Sequence, residues 1–176
     1  MDPTDATVLV TGGAGLIGSH LAARLAADTD VIVADDLSKG EQDRVPDGAE
    51  FRQADLTDPE AAARVVDERV DLVFHLAAIT DTNFDDDRLL FERNTQMTHN
   101  LLEAADEAGV EGFAFTSSST VYGEAPRPTP EDYAPLEPIS VYGASKLADE
   151  ALLSTYAHSY GLQSWVFRFA NIVGPG

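Results

Sequence analysis

Thr7-Val8-Leu9-Val10-Thr11-Gly12-Gly13-Ala14-Gly15-Leu16-Ile17-Gly18 runs from a short β-branched apolar segment through a glycine-rich turn into a helical pattern. Strand, turn and helix in that order give the glycines a meaning they lack alone. Gly12 permits a tight turn, and Gly15 lets backbone approach a pyrophosphate resting on the helix N-terminus. Gly18 lets the helix pack closely on the strand. Leu16 and Ile17, inside the motif, are counted with the residues facing the ligand. A P-loop is excluded, because no Gly-Lys-Ser/Thr follows. The bland alternative is a glycine turn without a ligand. The flanking strand and helix favour dinucleotide binding over it.

The same alternation extends outward. Apolar runs at 7–10, 31–34, 51–53, 72–76, 112–116 and 164–169 predict six strands. Between most of them apolar residues recur at three- and four-residue steps. Leu16, Ile17, His20, Leu21 and Leu25 form one set; Leu89, Leu90, Met97, Leu101, Leu102 and Ala105 a second; Leu147, Ala151, Leu152 and Tyr156 a third. This is helical spacing. Thr57-Asp58-Pro59-Glu60 marks a helix start by cap and early proline, and Gly109 stands where the fourth helix should end. Buried strands alternating with amphipathic helices predict a parallel sheet covered on both faces. The fold class is α/β: a doubly wound, three-layer α/β/α Rossmann domain over 1–176.

Residues 124–138 hold five prolines and four acidic groups and are expected to form a loop. A loop of that length inside a domain is commonly a lid over a site. The sequence ends at Ile172-Val173-Gly174-Pro175-Gly176, just past the sixth strand. Open α/β sheets bind ligands outside the carboxyl ends of their strands. One wall of that crevice is therefore expected to lie beyond the chain, which reads as cut short of a substrate-binding part.

Composition removes several function classes. There are 31 acidic and 11 basic residues, a net charge of −20. Phosphate backbones and anionic lipid repel such a surface, so neither a nucleic acid nor a membrane is an expected partner. The carboxylates are spread along the chain rather than blocked into a tail. Many Asp, few Lys and a normal apolar fraction of 44% resemble proteins of extreme halophiles. There is no cysteine, and the histidines (His20, His75, His99, His158) form no pair at metal spacing, so no metal is expected. No apolar run reaches membrane-spanning length, and residues 1–5 are acidic and polar rather than a secretory signal. A cytoplasmic location is expected by default.

Three further motifs carry chemistry. Asp35-Asp36 closes the second strand, 17 residues beyond Gly18. A carboxylate there can bond both hydroxyls of an adenosine ribose and repel a 2′-phosphate, which predicts NAD over NADP. Lys39 and Arg44 lie near enough to meet a phosphate, and a solvated acidic turn is ordinary in so acidic a chain; both alternatives stay open. Tyr142-Gly143-Ala144-Ser145-Lys146 puts a phenol and an ammonium at i and i+4 on one helix face. A phenol titrates near pH 10, too high for a base at neutral pH. A nearby ammonium, with a cationic nicotinamide ring, stabilises phenolate and is expected to lower that value. Lysine occurs only at 39 and 146, so one of two falls four residues after a tyrosine. The spacing alone also fits an ordinary amphipathic pair; the dinucleotide context favours catalysis. Last, Thr116-Ser117-Ser118-Ser119-Thr120 leaves the fifth strand at the carboxyl edge of the sheet. Its hydroxyls can bond a substrate oxygen or satisfy their own turn.

These motifs, in this order and spacing, resemble the extended short-chain dehydrogenase/reductases, and among them the NAD-dependent epimerase/dehydratase group acting on nucleotide sugars. The resemblance implies Tyr142 as acid/base, Lys146 as its modulator and a ligand of the nicotinamide ribose, and Ser118 as the serine bonding the sugar hydroxyl, with Ser119 beside it. It implies NAD held by Gly12, Gly15, Leu16, Ile17, Gly18, Asp35 and Asp36. Asp55-Leu56 would lie beside the adenine, and Leu76-Ala77-Ala78 and Asn94 along the cofactor. Asn171, in Phe169-Ala170-Asn171, would meet a substrate diphosphate. A homodimer is the implied assembly.

One departure is informative. Related dehydratases carry Thr-Asp-Glu where this chain has Ser118-Ser119-Thr120. Without those carboxylates, elimination and decarboxylation are disfavoured. Epimerisation of a nucleotide-diphosphate sugar, at C4 through a 4-keto intermediate, is the leading expectation. A sugar or keto-sugar dehydrogenase/reductase of the same superfamily is the alternative enzyme, and a non-catalytic NAD(H) sensor or scaffold the alternative of another class.

Overall fold

The computed structural model describes residues 6–81 and 85–174; the acidic N-terminal stretch 1–5 and the terminal Pro175-Gly176 lie outside them. In chain order the elements are β1 Thr7–Thr11, α1 Leu16–Leu25, β2 Asp30–Asp35, β3 Glu50–Gln53, α2 Pro59–Val65, β4 Leu72–His75, α3 Asp87–Ala108, β5 Gly112–Ser118, α4 Val141–Tyr160 and β6 Gln163–Phe169. The strands form one parallel sheet in the order β3-β2-β1-β4-β5-β6. The chain thus winds one way from β1 and the other way from β4, leaving a crevice at the carboxyl ends of those two strands.

Strand alternation decides which residues meet which layer. Leu9, Ile32, Val73, Phe113 and Phe115 face α2, α3 and α4 and form the larger core with Leu101, Leu102, Leu153 and Tyr156. Val8, Val10, Val31 and Val33 face the other way and pack with Ala22, Leu21 and Leu25 of α1. Helix ends follow local chemistry. Asp58 accepts from the Glu60 N–H with Pro59 behind it, Asp86 accepts from the Leu89 N–H at 3.0 Å, and Ser140 from the Gly143 N–H at 3.0 Å. Gly109 and Gly161 close α3 and α4 in the left-handed conformation, φ +75° and +78°.

The structure departs from the sequence expectation in two places. Gly109 ends the third α-helix rather than the fourth, because the β2–β3 connection holds only a 3-10 turn, Gln42–Arg44. Residues 124–138 do form a loop, but none of them lines the crevice. The loop is held beside it instead: Arg168 donates to the Glu131 carbonyl at 3.0 Å and to the Tyr122 hydroxyl at 2.9 Å.

A chain of buried polar groups crosses the sheet behind the crevice. The Thr11 hydroxyl accepts from the N–H groups of Leu76 and Ala77 and lies 2.7 Å from His75 Nδ1. His75 Nε2 lies 3.2 Å from the Thr98 hydroxyl, which donates to the Asn94 carbonyl. One pattern satisfies every partner: Thr11 donates to Nδ1, and a neutral ring donates from Nε2 to Thr98. Burial, with the Lys146 charge nearby, pushes the His75 pKa down to about 3. An unfolded histidine titrates near 6.5. Below that pH the unfolded chain takes a proton that the folded ring refuses, so this contribution to stability is present above pH 6.5 and lost as pH falls toward 3. Compared with a His75→Gln variant, the wild type should therefore lose stability on acidification by up to about 1.4 kcal/mol per pH unit. Urea melts of the two proteins between pH 7 and pH 4 check this; a constant difference would show that the ring is not held neutral.

Candidate active site

The carboxyl ends of β1, β2, β4, β5 and β6 enclose an open groove of about 1000 Å³. Its floor is the turn after β1. Gly12 has φ +67°, a conformation that L side chains rarely adopt, and a Cβ there would stand 2.7 Å from the Ala77 nitrogen. A Cβ on Gly18 would overlap the Gly12 carbonyl oxygen and come within 2.7 Å of the Gly13 Cα. Both positions need glycine because α1 and the end of β4 approach the same turn. Gly15 begins α1 without a side-chain cap, and no acidic residue occupies the first turn, so the first N–H groups of α1 present an uncancelled positive end to the groove.

At the β2 end, the buried Asp35 lines the groove, each carboxylate oxygen steadied by one backbone donor. The Ala14 N–H reaches Oδ2 at 3.1 Å, and the Leu37 N–H reaches Oδ1 at 2.9 Å. A carboxylate oxygen accepts more than one bond, so both keep capacity for a ligand hydroxyl. Asp36 also lines the groove, while its Oδ1 closes a turn onto the Ser38 N–H and hydroxyl. Lys39 and Arg44 reach the wall as well, but Lys39 pairs with Asp81 at 3.0 Å and Arg44 with Glu41 at 3.2 Å.

Ser118, Tyr142 and Lys146 line the same groove, joined by Leu76, Ala77, Ala78 and Asn171. The sheet order sets Ser118, at the end of β5, three strands from Asp35, at the end of β2. The Ser118 hydroxyl lies 2.9 Å from the Thr120 hydroxyl, which donates to it, and also accepts from the Thr120 N–H at 3.2 Å. Lys146 is buried, its Nζ 4.6 Å above the Phe115 ring and 5.9 Å from the centre of the Tyr142 ring.

Their titration differs from the sequence expectation. The Tyr142 phenol is pushed up, not down, because burial disfavours phenolate and the Asp149 carboxylate adds repulsion. Lys146 is itself pushed down by burial. The lowering expected from sequence assumed a fully charged ammonium and a cationic ring in the site; the chain alone supplies a desolvated ammonium whose field Asp149 opposes.

Three residues expected at the ligand stand off the wall. Asp55 is exposed and turns onto the N–H and hydroxyl of Thr57; its neighbours Ala54 and Leu56 line the groove instead. Asn94 is buried behind the wall. It grips Ile79 through both main-chain groups, at 2.8 and 3.1 Å, and donates to the Ser145 hydroxyl. Ser119 is exposed at the start of a 3-10 turn, Ser119–Tyr122, and is not part of the groove lining. Met97, counted above only in a helical set, and Thr116, first of the hydroxyl run, also line the groove, and Thr11 ties its floor. Sequence reasoning missed Thr80, which lines it too but belongs to no motif.

The sequence profile of the NAD-dependent epimerase/dehydratase family matches residues 8–176. The UDP-glucose 4-epimerase of Azospirillum brasilense is 37% identical over 172 residues, covering 95% of this chain and 49% of that protein. That of Mycolicibacterium smegmatis is 38% identical, covering 95% and 56%. Among solved structures, the Thermus thermophilus UDP-glucose 4-epimerase in complex with NAD is 42% identical with a TM-score of 0.90, covering 96% of this chain and 56% of that one. The Thermotoga maritima enzyme with UDP-glucose gives 38% and 0.91, covering 96% and 57%. The chain spans about half the length of these relatives.

The glycine geometry makes a direct prediction. Gly18→Ala must push α1 off the turn, an overpacking cost of about 1–3 kcal/mol. Its melting temperature should fall by roughly 2–12 °C for a chain of this size. Calorimetry of the variant checks this, and an unchanged melting point would mean that α1 does not approach the turn so closely.

Proposed function

The chain belongs to the NAD-dependent epimerase/dehydratase family, and from that premise we propose that it is the cofactor-binding half of a nucleotide-sugar 4-epimerase. One observation carries this reading: a phenol, an ammonium and a hydroxyl (Tyr142, Lys146, Ser118) share a groove with a glycine turn and a ribose-competent carboxylate, Asp35.

The residues present fit a dinucleotide. The uncapped start of α1 and the cradle at Gly12, Gly15 and Gly18 would hold the pyrophosphate, since a Cβ at Gly12 or Gly18 would strike the turn or the end of β4. Asp35 would bond the adenosine ribose, Ala54 and Leu56 offer apolar surface to the base, and Tyr142 and Lys146 would meet the second ribose. NAD bound there would supply the hydride acceptor and, later, donor.

The chain's own groups handle the proton. Tyr142 as phenolate removes the proton of the sugar C4 hydroxyl and returns it once the 4-keto sugar has turned over in the site. Lys146 offsets the phenolate charge, and the Ser118 hydroxyl bonds the same sugar oxygen. Among the described residues lining the groove, the carboxylates are Asp35 and Asp36, both at the β2 end. Loss of water from the sugar would need a further acid and base beside Tyr142, and among the described residues the lining at this end holds no carboxylate. That favours inversion over elimination. The relatives are UDP-glucose 4-epimerases, which makes a UDP-sugar the first substrate to try.

Two outcomes follow. The chain should bind NAD more tightly than NADP, and Asp35→Ala should weaken NAD by a few kcal/mol at most, the scale of lost hydrogen bonds to a charged group. Calorimetric titration with both nucleotides decides; equal or tighter binding of NADP rejects the assignment of Asp35. In a protein that also carries the substrate-binding half, Tyr142→Phe should still bind NAD but lose about 10²–10⁴-fold in turnover. Chromatography of products from UDP-, dTDP- and GDP-sugars reads this. Near-wild-type turnover by the variant, or no C4 epimer from any sugar, would sink the proposal.

A further inference from the structure

Asp149 is buried, 1% exposed, and neither of its carboxylate oxygens has a hydrogen-bond partner among the described residues. A buried carboxylate without partners is costly, and native structures satisfy nearly all such groups. The helix explains where it sits. Tyr142, Lys146 and Asp149 stand at i, i+4 and i+7 of α4, two turns of one face. That face packs on β5, where the Phe115 ring lies under the Lys146 ammonium, and on α3, where Thr98 stands near Asp149. Glu150, the next residue, leaves that group: it accepts from Arg168 at 2.7 Å and from the Ser117 hydroxyl at 2.5 Å.

The neighbours satisfy Asp149 poorly. Thr98 stands close enough to favour the carboxylate, but its one hydroxyl proton is engaged with the Asn94 carbonyl at 3.2 Å. The Asn94 amide is spent on Ile79 and Ser145. His75, from β4, is neutral and bonded to Thr98 and Thr11 of β1. Among the described residues the cation acting on Asp149 is Lys146, which does not donate to it directly. The buried carboxylate is therefore coupled to the ammonium through space, and the Tyr142 ring centre lies 5.9 Å from the same ammonium.

We propose that Asp149 is a positioning residue for the proton transfer, a buried counter-charge that divides the field of Lys146 with Tyr142 and so sets the pH at which the phenolate forms. The inference rests on the roles proposed above for Tyr142 and Lys146. An ionised Asp149 favours the ammonium of Lys146 and opposes the phenolate of Tyr142; a protonated Asp149 leaves the whole cation to Tyr142. The directions agree: Asp149 raises both Tyr142 and Lys146, while burial holds Asp149 itself above the usual carboxylate range and Lys146, then the Thr98 hydroxyl, pull it back.

The test reads titration rather than turnover. The chain has two lysines, so carbon-13 spectra of the lysine side chains contain two signals to follow, and Lys39→Arg assigns them. In Asp149→Asn the Lys146 signal should titrate roughly one pH unit lower than in the wild type, and the Tyr142 ring signal should also move to lower pH. In the reciprocal variant, Lys146→Met, the Asp149 carboxyl should titrate at higher pH. In an active full-length protein both limbs of the pH profile of kcat/KM should shift to lower pH in Asp149→Asn, a displacement that a merely structural residue would not produce. Unmoved titrations of Lys146 in the first variant and of Asp149 in the second would overturn the inference. If the first variant does not fold, the second decides alone. These titrations need neither NAD nor a sugar, so their failure leaves the role of Tyr142 standing, and the Tyr142→Phe assay tests that role separately.

Discussion

The close approach of α1 to the turn after β1 is the constraint on which the rest of the site depends. Gly18 lets the first turn of α1 lie against the Gly12 carbonyl, and Gly12 lets the end of β4 pass at Ala77. With a side chain at either place, α1 and β4 could not share the turn. The sheet reverses its winding between β1 and β4, so the same contact joins the two halves of the fold and aims the start of α1 into the crevice between them. Packing and ligand geometry have one cause here.

Behind that turn the wall is held by side chains that never reach the groove. Thr11 accepts from the N–H groups of Leu76 and Ala77, and Asn94 grips Ile79 by both main-chain groups. The stretch after β4 is irregular, and its backbone needs such partners if it is to stay fixed. Asn94 also reaches Ser145, whose hydroxyl donates to the Tyr142 carbonyl at 2.8 Å. One buried amide thus ties the strand-end wall to the first turn of α4. On the far side of α4, Glu150 joins Arg168 of β6 to Ser117 of β5. The residue before Ser118 and the helix bearing Tyr142 are therefore braced against each other.

The sequence makes some of this legible and hides the rest, for physical reasons. Strand periodicity and the glycine turn report local backbone needs, so the six strands and the cradle follow from them. Asp58 and Gly109 mark helix ends for the same reason. What depends on distant partners is not written locally. The loop at 124–138 has the length of a lid, yet Arg168, some thirty residues later, fixes it aside. The direction of the Tyr142 shift was not legible because i,i+4 spacing reveals the ammonium but not its burial, and because Asp149 at i+7 reads as one more acid in an acidic chain.

That acidity sharpens the question of how the groove attracts an anion. The chain carries −20, and its arginines are largely neutralised where they stand: Arg52 by Glu50 and Asp67, Arg69 by the same pair, Arg88 by Glu92, Arg168 by Glu150. Among the described residues no basic patch draws a pyrophosphate from afar. The attraction must be local, and the first turn of α1 suits it: α2 and α3 begin with acidic residues and α4 with a serine cap, whereas α1 has neither. A helix terminus acts over about one turn, while the repulsion of the whole surface reaches about 10 Å in 0.1 M salt and only about 3 Å in 1 M. Salt therefore removes more of the repulsion than of the attraction. In this chain, unlike one with a basic binding face, added salt should leave the groove a better anion site, because contact donors rather than long-range charge supply the affinity.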